Sequence, residues 1–233
     1  DENERYLRES GGFHFWKRLM LSHLRLWDFE AAARPDVLVA NSEYTKQRIE
    51  KYYRRPSDVV YPPVRALAST EPGALDIRDR PFVTVSRLSK YKHTEAIVRA
   101  FAKLELPLLV VGAGRELERL QQNVPPNVRF LGDISDEELG TALGKARAFV
   151  FAGEEDFGLA LAEAQMAGLP AIALASGGAR EIVEENVSGM FFADPDAKSI
   201  FEAVQKYIKQ ESSFDREAIR NHTKRFSEER FRE

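Results

Sequence analysis

Two cations, two carboxylates and a set of glycine turns carry the chemistry this sequence offers. Arg87 and Lys92 lie in SRLSKYK, directly after an apolar run. An arginine fork grips phosphate oxygens bidentately, and a lysine adds a point charge. Gly112-Ala113-Gly114, Gly132-Asp133-Ile134 and Ser176-Gly177-Gly178 follow three other apolar runs. Between Phe149 and Leu174 the chain reads FVFAGEEDFGLALAEAQMAGLPAIAL. There an apolar run stops at Gly153, Glu154, Glu155 and Asp156 follow, and Phe157-Gly158 opens a helix-prone segment. A strand, a glycine turn and a helix start leave backbone N–H groups pointing outward, which favours a bound anion. Gly158 lets that backbone approach closely, and the whole rim suits a nucleoside diphosphate.

The carboxylates need a separate explanation. Glu163 lies in a helical segment rich in Ala and Leu, where an ionised group without partners costs several kcal/mol, about 2–7 for a buried polar group alone. It either pairs with a surface cation at a helix edge or accepts two hydroxyl hydrogen bonds from a ribose, as acidic residues do in other nucleotide sites. Acids ahead of a helix also cap it and favour its dipole, and Glu154 and Asp156 are read that way. Glu155 could do the same. A carboxylate beside phosphate is unfavourable unless it meets hydroxyls, however, which points to a sugar on the diphosphate. Gly112-Ala113-Gly114 lacks the third glycine of a dinucleotide fingerprint, and no P-loop is present, so a nicotinamide-dependent enzyme is disfavoured. Asp194-Pro195-Asp196 imitates a metal-binding Asp-x-Asp but is read as a helix cap. His14, His23, His93 and His222 show no ligand or triad spacing.

These residues need a scaffold. After Pro81 the pattern alternates regularly, with strands at 82–86, 108–112, 128–131, 148–152, 171–174 and 190–192. Helices are expected at 94–104, 115–122, 136–145, 159–167 and 179–184, then 197–209 and 216–231. Six apolar strands separated by helices argue for an α/β fold with a doubly wound parallel sheet, whose ligands bind beyond the strands' carboxyl ends. The last helix is highly charged, so it is solvated or docks on something absent.

Upstream, residues 1–12 read as a polar loop or frayed end. A helix from Phe13 to Ala33 follows, with Trp16, Met20, Leu24, Trp27 and Ala31 in one stripe and Lys17, Arg18 and Arg25 elsewhere. It either packs on a sheet or rests as a basic amphipathic helix on an anionic membrane. Short strands at 36–40 and 59–61 flank a helix over 43–53 capped by Asn41-Ser42, and Pro62-Pro63 closes the second strand. Residues 65–80 have no period and mark the main domain boundary.

Composition narrows the classes. The 233 residues are 43% apolar and 30% charged with a net charge of −3, which gives no support to a nucleic-acid partner. The absence of cysteine excludes disulfides and thiolate metal sites and fits a cytosolic protein. No apolar run approaches the roughly 18 residues of a membrane span. No signal peptide is expected, and because Asp1 opens the chain its ends need not be native ones.

At this point the motifs resemble those of a known family. EDFGLALAE, residues 155–163, resembles the E-x7-E signature of the family 4 retaining GT-B glycosyltransferases. SRLSKYK at 86–92, VVGAG at 110–114, NVRFLGDISDEEL at 127–139 and EAQMAGLPAIALASGGAREIV at 163–183 extend the match. Residues 37–64 resemble the segment leading out of the N-terminal domain into the hinge. The resemblance implies hexosyl transfer, nearest to mannosyltransferases using GDP-mannose, with a glycan or lipid-linked acceptor. Arg87 and Lys92 would neutralise the diphosphate without a metal or other cofactor, and Glu155 would bind the transferred hexose. Glu163 would hold the ribose, Asp133-Ile134 would border the base, and Phe157, Gly158 and Leu159 would give backbone contacts. Ser86 and Gly112 would complete the donor site. Anomeric configuration would be retained by front-face attack.

The resemblance also sets the expected architecture: a Rossmann-like donor-binding half of a GT-B fold plus a remnant of the N-terminal domain. Residues 1–64 are the remnant and hinge, 65–80 a linker, 81–210 the nucleotide-sugar domain and 211–233 a C-terminal helix. Because most of the acceptor domain is missing, a second expectation stands beside the first. In it the chain is a non-catalytic nucleotide-sugar-binding or interaction subunit, and a partner chain or a second copy covers the Trp16–Trp27 face. The expected location is cytoplasmic, or at the inner face of the membrane.

Overall fold

The computed structural model describes residues 14–67 and 76–233. The polar stretch 1–12, the expected helix start at Phe13 and residues 68–75 of the aperiodic segment lie outside the described residues. The chain opens with helix α1 (His14–Ala32), strand β1 (Val39–Ala40), helix α2 (Glu43–Tyr53) and strand β2 (Asp58–Val59). Then come β3 (Phe82–Val85), α3 (Thr94–Leu104), β4 (Leu108–Val111), α4 (Leu117–Leu120), β5 (Val128–Gly132) and α5 (Asp136–Lys145). After these lie β6 (Phe149–Phe151), α6 (Leu159–Met166), β7 (Ala171–Leu174), α7 (Ala179–Ile182) and β8 (Gly189–Phe192). Helices α8 (Ala197–Gln210), α9 (Arg216–Thr223) and α10 (Glu228–Arg232) close it.

Six strands form one parallel sheet in the order β5-β4-β3-β6-β7-β8. The chain starts in the middle, winds out to β5, then returns to β6 beside β3. The order therefore reverses between β3 and β6, and the loops following those two strands diverge there to leave a crevice. Alternation along each strand divides the core between the two faces. Val150, Ile172 and Leu174 meet α3 and α8 through Ile97, Phe101, Ile200 and Val204. Phe149, Phe151, Ala171 and Ala173 meet α5, α6 and α7 through Leu143, Leu161, Ala164 and Ile182. The pairing of β4 and β5 skips Leu131, so Val111 lies opposite Gly132. That bulge turns the following Asp133 and Ile134 toward the sheet's carboxyl edge.

Helix starts obey their caps. Ser135 and Glu138 form a reciprocal capping box on α5, at 3.2 and 2.8 Å. Ser135→Ala is expected to cost about 1 kcal/mol of folding stability in urea titration. Asp196 caps α8 by accepting from the Ser199 N–H at 2.8 Å, as expected of the Asp-Pro-Asp decoy. One core charge is also matched: buried Arg147 forms a fork with Glu211 at 2.7 and 2.8 Å and lies over the Phe82 ring.

Three expectations are corrected. The terminal segment is no single helix over 216–231. A tight turn at Lys224–Phe226 breaks it, and Ser227 caps α10. Nor is it simply solvated: Ile219 and Thr223 are buried on the molecule's own core, and Phe226 packs edge-on against Tyr61 and Phe157. Ser227 also bridges to Val64, joining the last helices to the segment after β2. The α1 stripe, finally, is not buried on a sheet. Trp16 is 63% exposed and Trp27 58%, and Leu19, Leu26 and Phe29 on other faces are exposed as well. The helix is held at its end by polar contacts, Tyr53 Oη to Asp28 at 2.7 Å and Arg55 to the Ala32 carbonyl at 2.7 Å. The sheet beside it is only the parallel pair β1–β2, two residues each, shorter than the expected 36–40 and 59–61. No described helix is long and apolar enough to cross a membrane.

Candidate functional site

The crevice at the reversal point is a cleft of about 650 Å³. Ser86, Arg87, Lys92, Gly112, Asp133, Ile134 and Glu155 all line it. They come from four separate loops, so only the winding of the sheet brings them together. Gly112 (φ 116°) is required where it stands: a Cβ there would lie 2.1 Å from the Ser86 carbonyl oxygen. The loops after β3 and β4 are therefore in backbone contact.

The two candidate charges at the floor of the cleft form an ion pair. Lys92 is buried, and its ammonium contacts the Glu155 carboxylate directly while lying 4.5 Å from the Tyr91 ring centroid. Buried charges need such partners, because taking an unpaired ion out of water costs several kcal/mol, roughly 3–5 when one partner is lost. Arg87 is exposed at the cleft and makes no ion pair with another described residue. The resulting rim holds one fixed cation, already compensated, and one cation open to an incoming anion.

Helix α6 starts above this pair. Gly158 is its N-cap in the left-handed region (φ 105°), and it has no side chain to cap the first amides. The Phe157 ring is buried against Tyr61 and Phe226, and the residue does not line the cleft. Leu159 is exposed, and Ala160 lines the cleft. Glu163 lies three and four residues on, on the same helix face. Its side chain is 13% exposed and pairs with Arg65 at 3.3 Å, which also holds Asp136 at 2.8 Å. Burial raises the Glu163 carboxyl above its ordinary value; Arg65 opposes that rise and Asp136 adds to it. The surface-cation pairing weighed from the sequence is therefore present, and it comes from a residue in the aperiodic segment.

Glu154 and Asp156 do not cap α6. Glu154 accepts from the Tyr44 hydroxyl at 2.5 Å and from the Ser176 hydroxyl, and Asp156 pairs with Arg48. Both are tied to α2. Glu181 in α7 in turn accepts the Glu43 and Tyr44 backbone N–H groups at 2.8 Å each, and the Tyr61 hydroxyl at 3.0 Å. Tyr44, Arg48, Arg65 and Glu181 were not singled out from the sequence, because their partners are distant in the chain. A second cleft, about 560 Å³, lies among α3, α4 and the start of α8. Its arginines are matched by acids, Arg119 with Glu95 and Glu116 at 2.6 and 2.7 Å and Arg99 with Glu95 at 2.5 Å.

The six-stranded parallel sheet matches in fold the C-terminal Rossmann-like domain of the GT-B glycosyltransferases. The chain belongs to the glycosyl transferases group 1 family, whose model matches residues 70–226. It is 33% identical over 129 residues to a GDP-mannose-dependent alpha-mannosyltransferase from Corynebacterium glutamicum, covering 55% of this chain and 31% of that protein. It is 25% identical to the human alpha-1,3/1,6-mannosyltransferase ALG2, over 85% of this chain and 56% of that protein. In fold it is similar to sucrose-phosphate synthase from Thermosynechococcus elongatus (TM-score 0.76, 23% identity, 89% of this chain and 58% of that one). The Anabaena protein HepE, solved with UDP-glucose, gives TM-score 0.76 and 21% identity over 89% and 64% of the two chains. The chain thus spans roughly a third to a little over half the length of these curated relatives.

Proposed function

We propose that this chain is the donor-binding part of a family 4 retaining hexosyltransferase that takes mannose from GDP-mannose to a glycan or lipid-linked acceptor. The observation that carries the proposal is the Lys92–Glu155 pair at the sheet's reversal point, with Arg87 open beside it. Arg87 and Lys92 neutralise the diphosphate as the glycosidic C–O bond breaks, so that no metal ion is needed for that charge. Glu155, drawn partly from Lys92, accepts hydroxyls of the hexose. The acceptor oxygen bonds the anomeric carbon on the face the phosphate leaves, and its proton passes to a departing phosphate oxygen. Glu163 accepts the ribose hydroxyls, Asp133 and Ile134 border the base, and Ser86, Gly112 and the backbone of Phe157, Gly158 and Leu159 complete the donor contacts. Residues 1–64 form the hinge-side remnant, 65–80 the linker, and 81–210 with the terminal segment 211–233 the donor domain. A thermal-shift panel of nucleotide sugars tests this: stabilisation is expected, largest with GDP-mannose. No shift with any of them would refute it.

Glu163 gives a pH signature. Its carboxyl is raised on folding, so its contribution to stability is full below the unfolded value and is lost as pH rises through the folded one. Capture of a diol runs the other way, because it needs the ionised acceptor. GDP-mannose has no phosphate titrating near neutrality, so its affinity is expected to fall on acidification, starting above the ordinary glutamate range. Arg65→Ala should shift that fall to higher pH, since Arg65 favours the ionised form. Calorimetric titration between about pH 5 and 8 reads both curves.

The exposed α1 favours a second reading, a binding subunit completed by a partner chain or a second copy. A helix apolar on several faces is one that is normally covered by protein, which argues against a single membrane-facing stripe. Light scattering combined with a turnover assay separates the readings: turnover by the monomer alone removes this one.

A further inference from the structure

The three acids after β6 are held in two directions. Glu155 faces the cleft and Lys92, whereas Glu154 and Asp156 face α2. On α2 the two contacting residues, Tyr44 and Arg48, are four apart and share one face, with the guanidinium 5.7 Å from the Tyr44 ring centroid. The helix cannot shift freely beneath them, because Glu181 ties its first amides to the donor domain and Ser42 caps it. On the other side of the loop, the Glu155 carbonyl accepts the Gly178 N–H at 2.9 Å. The loop is thus gripped on both flanks of Glu155.

We infer that Tyr44 and Arg48 are positioning residues for Glu155: they clamp its two neighbours and so fix where the carboxylate stands in the cleft. The inference rests on the reading of Glu155 as the acceptor of sugar hydroxyls. It adds that sugar recognition depends on a helix lying ahead of the aperiodic segment, so that a site built in the donor domain is set from outside it. Tyr44 is the stronger member. Burial and the Glu154 contact push its hydroxyl up to about 12, so it remains a donor at every working pH. The Arg48–Asp156 pair is half exposed on both sides and is screened by solvent.

The readout is the sugar increment, the ratio of GDP to GDP-mannose dissociation constants measured by calorimetry on the full chain. Tyr44→Phe with Arg48→Met is expected to cut this ratio about tenfold, near the low end of what one hydrogen bond to a charged group is worth. GDP affinity itself and the melting temperature should stay close to wild type, and Arg48→Lys should recover part of the effect. Equal loss of GDP and GDP-mannose affinity would show a merely structural contact and overturn the inference, as would an unchanged ratio. Glu155→Gln is the control that separates the two levels. If it leaves the ratio untouched, or wild type shows no sugar increment, the reading of Glu155 fails and the clamp with it. If it abolishes the ratio while the clamp variants do not lower it, only the inference fails.

Discussion

Lys92→Ala is expected to lower the affinity for GDP-mannose by about two orders of magnitude, since hydrogen bonds to charged groups are worth about 1.5–3 kcal/mol each. Two effects add. The buried ammonium is lost as a diphosphate partner, and the Glu155 carboxylate is left uncompensated in the cleft, where it repels the same phosphates. Arg87→Ala should cost less, because its exposed charge acts through solvent. Arginine should not replace Lys92 well: a Cβ on Gly153 would already lie 3.0 Å from the Lys92 Cδ, so the channel has no room for a wider head group. The double variant Lys92→Met with Glu155→Gln should regain part of the loss by removing the orphaned charge, giving a coupling term in a double-mutant cycle. Strictly additive losses from calorimetry would show that the two side chains act independently, against the geometry described.

Glu163→Ala is expected to reduce nucleotide binding by about 100- to 200-fold, the sum of two hydroxyl hydrogen bonds to a carboxylate at the lower end of their range. The same substitution should leave folding stability unchanged or slightly improved at neutral pH. Burial already disfavours the ionised form, and Arg65 retains Asp136 as a partner. A residue whose removal costs binding but not stability is one kept for the ligand. Deoxy nucleotides lacking one ribose hydroxyl give the cross-check: they should bind wild type more weakly than GDP, yet bind Glu163→Ala no differently from GDP. A large stability loss, measured by denaturant titration, would instead make Glu163 a structural anchor for Arg65.

The six-stranded sheet was legible because buried parallel strands are short apolar runs punctuated by glycine and proline. Phe82–Val85 ends before SRLSKYK, Ala171–Leu174 before SGG, and the helices Thr94–Leu104 and Asp136–Lys145 stand where their periodicity puts them. Knowing that ligands sit beyond the strand ends was enough to gather Arg87, Lys92, Asp133 and Glu155 around one cleft. Pairing was not legible. Lys92 and Glu155 are far apart in the chain, and nothing local signals that they touch. The partners of Glu154, Asp156 and Glu163 come from α2 and from the aperiodic segment at Arg65, where neither period nor turn chemistry constrains a side chain. Periodicity likewise identified α1 but could not reveal that its apolar residues stay exposed, because that depends on what stands opposite.

The central claim is that this cleft holds a nucleotide sugar between Lys92–Glu155 and Glu163. It is tested most directly by titrating GDP-mannose calorimetrically into wild type and Glu163→Ala side by side. Saturable one-to-one binding by wild type, reduced about 100-fold or more in the variant, is the expected result. Equal binding by both proteins, or no binding of any nucleotide sugar to wild type, would contradict it.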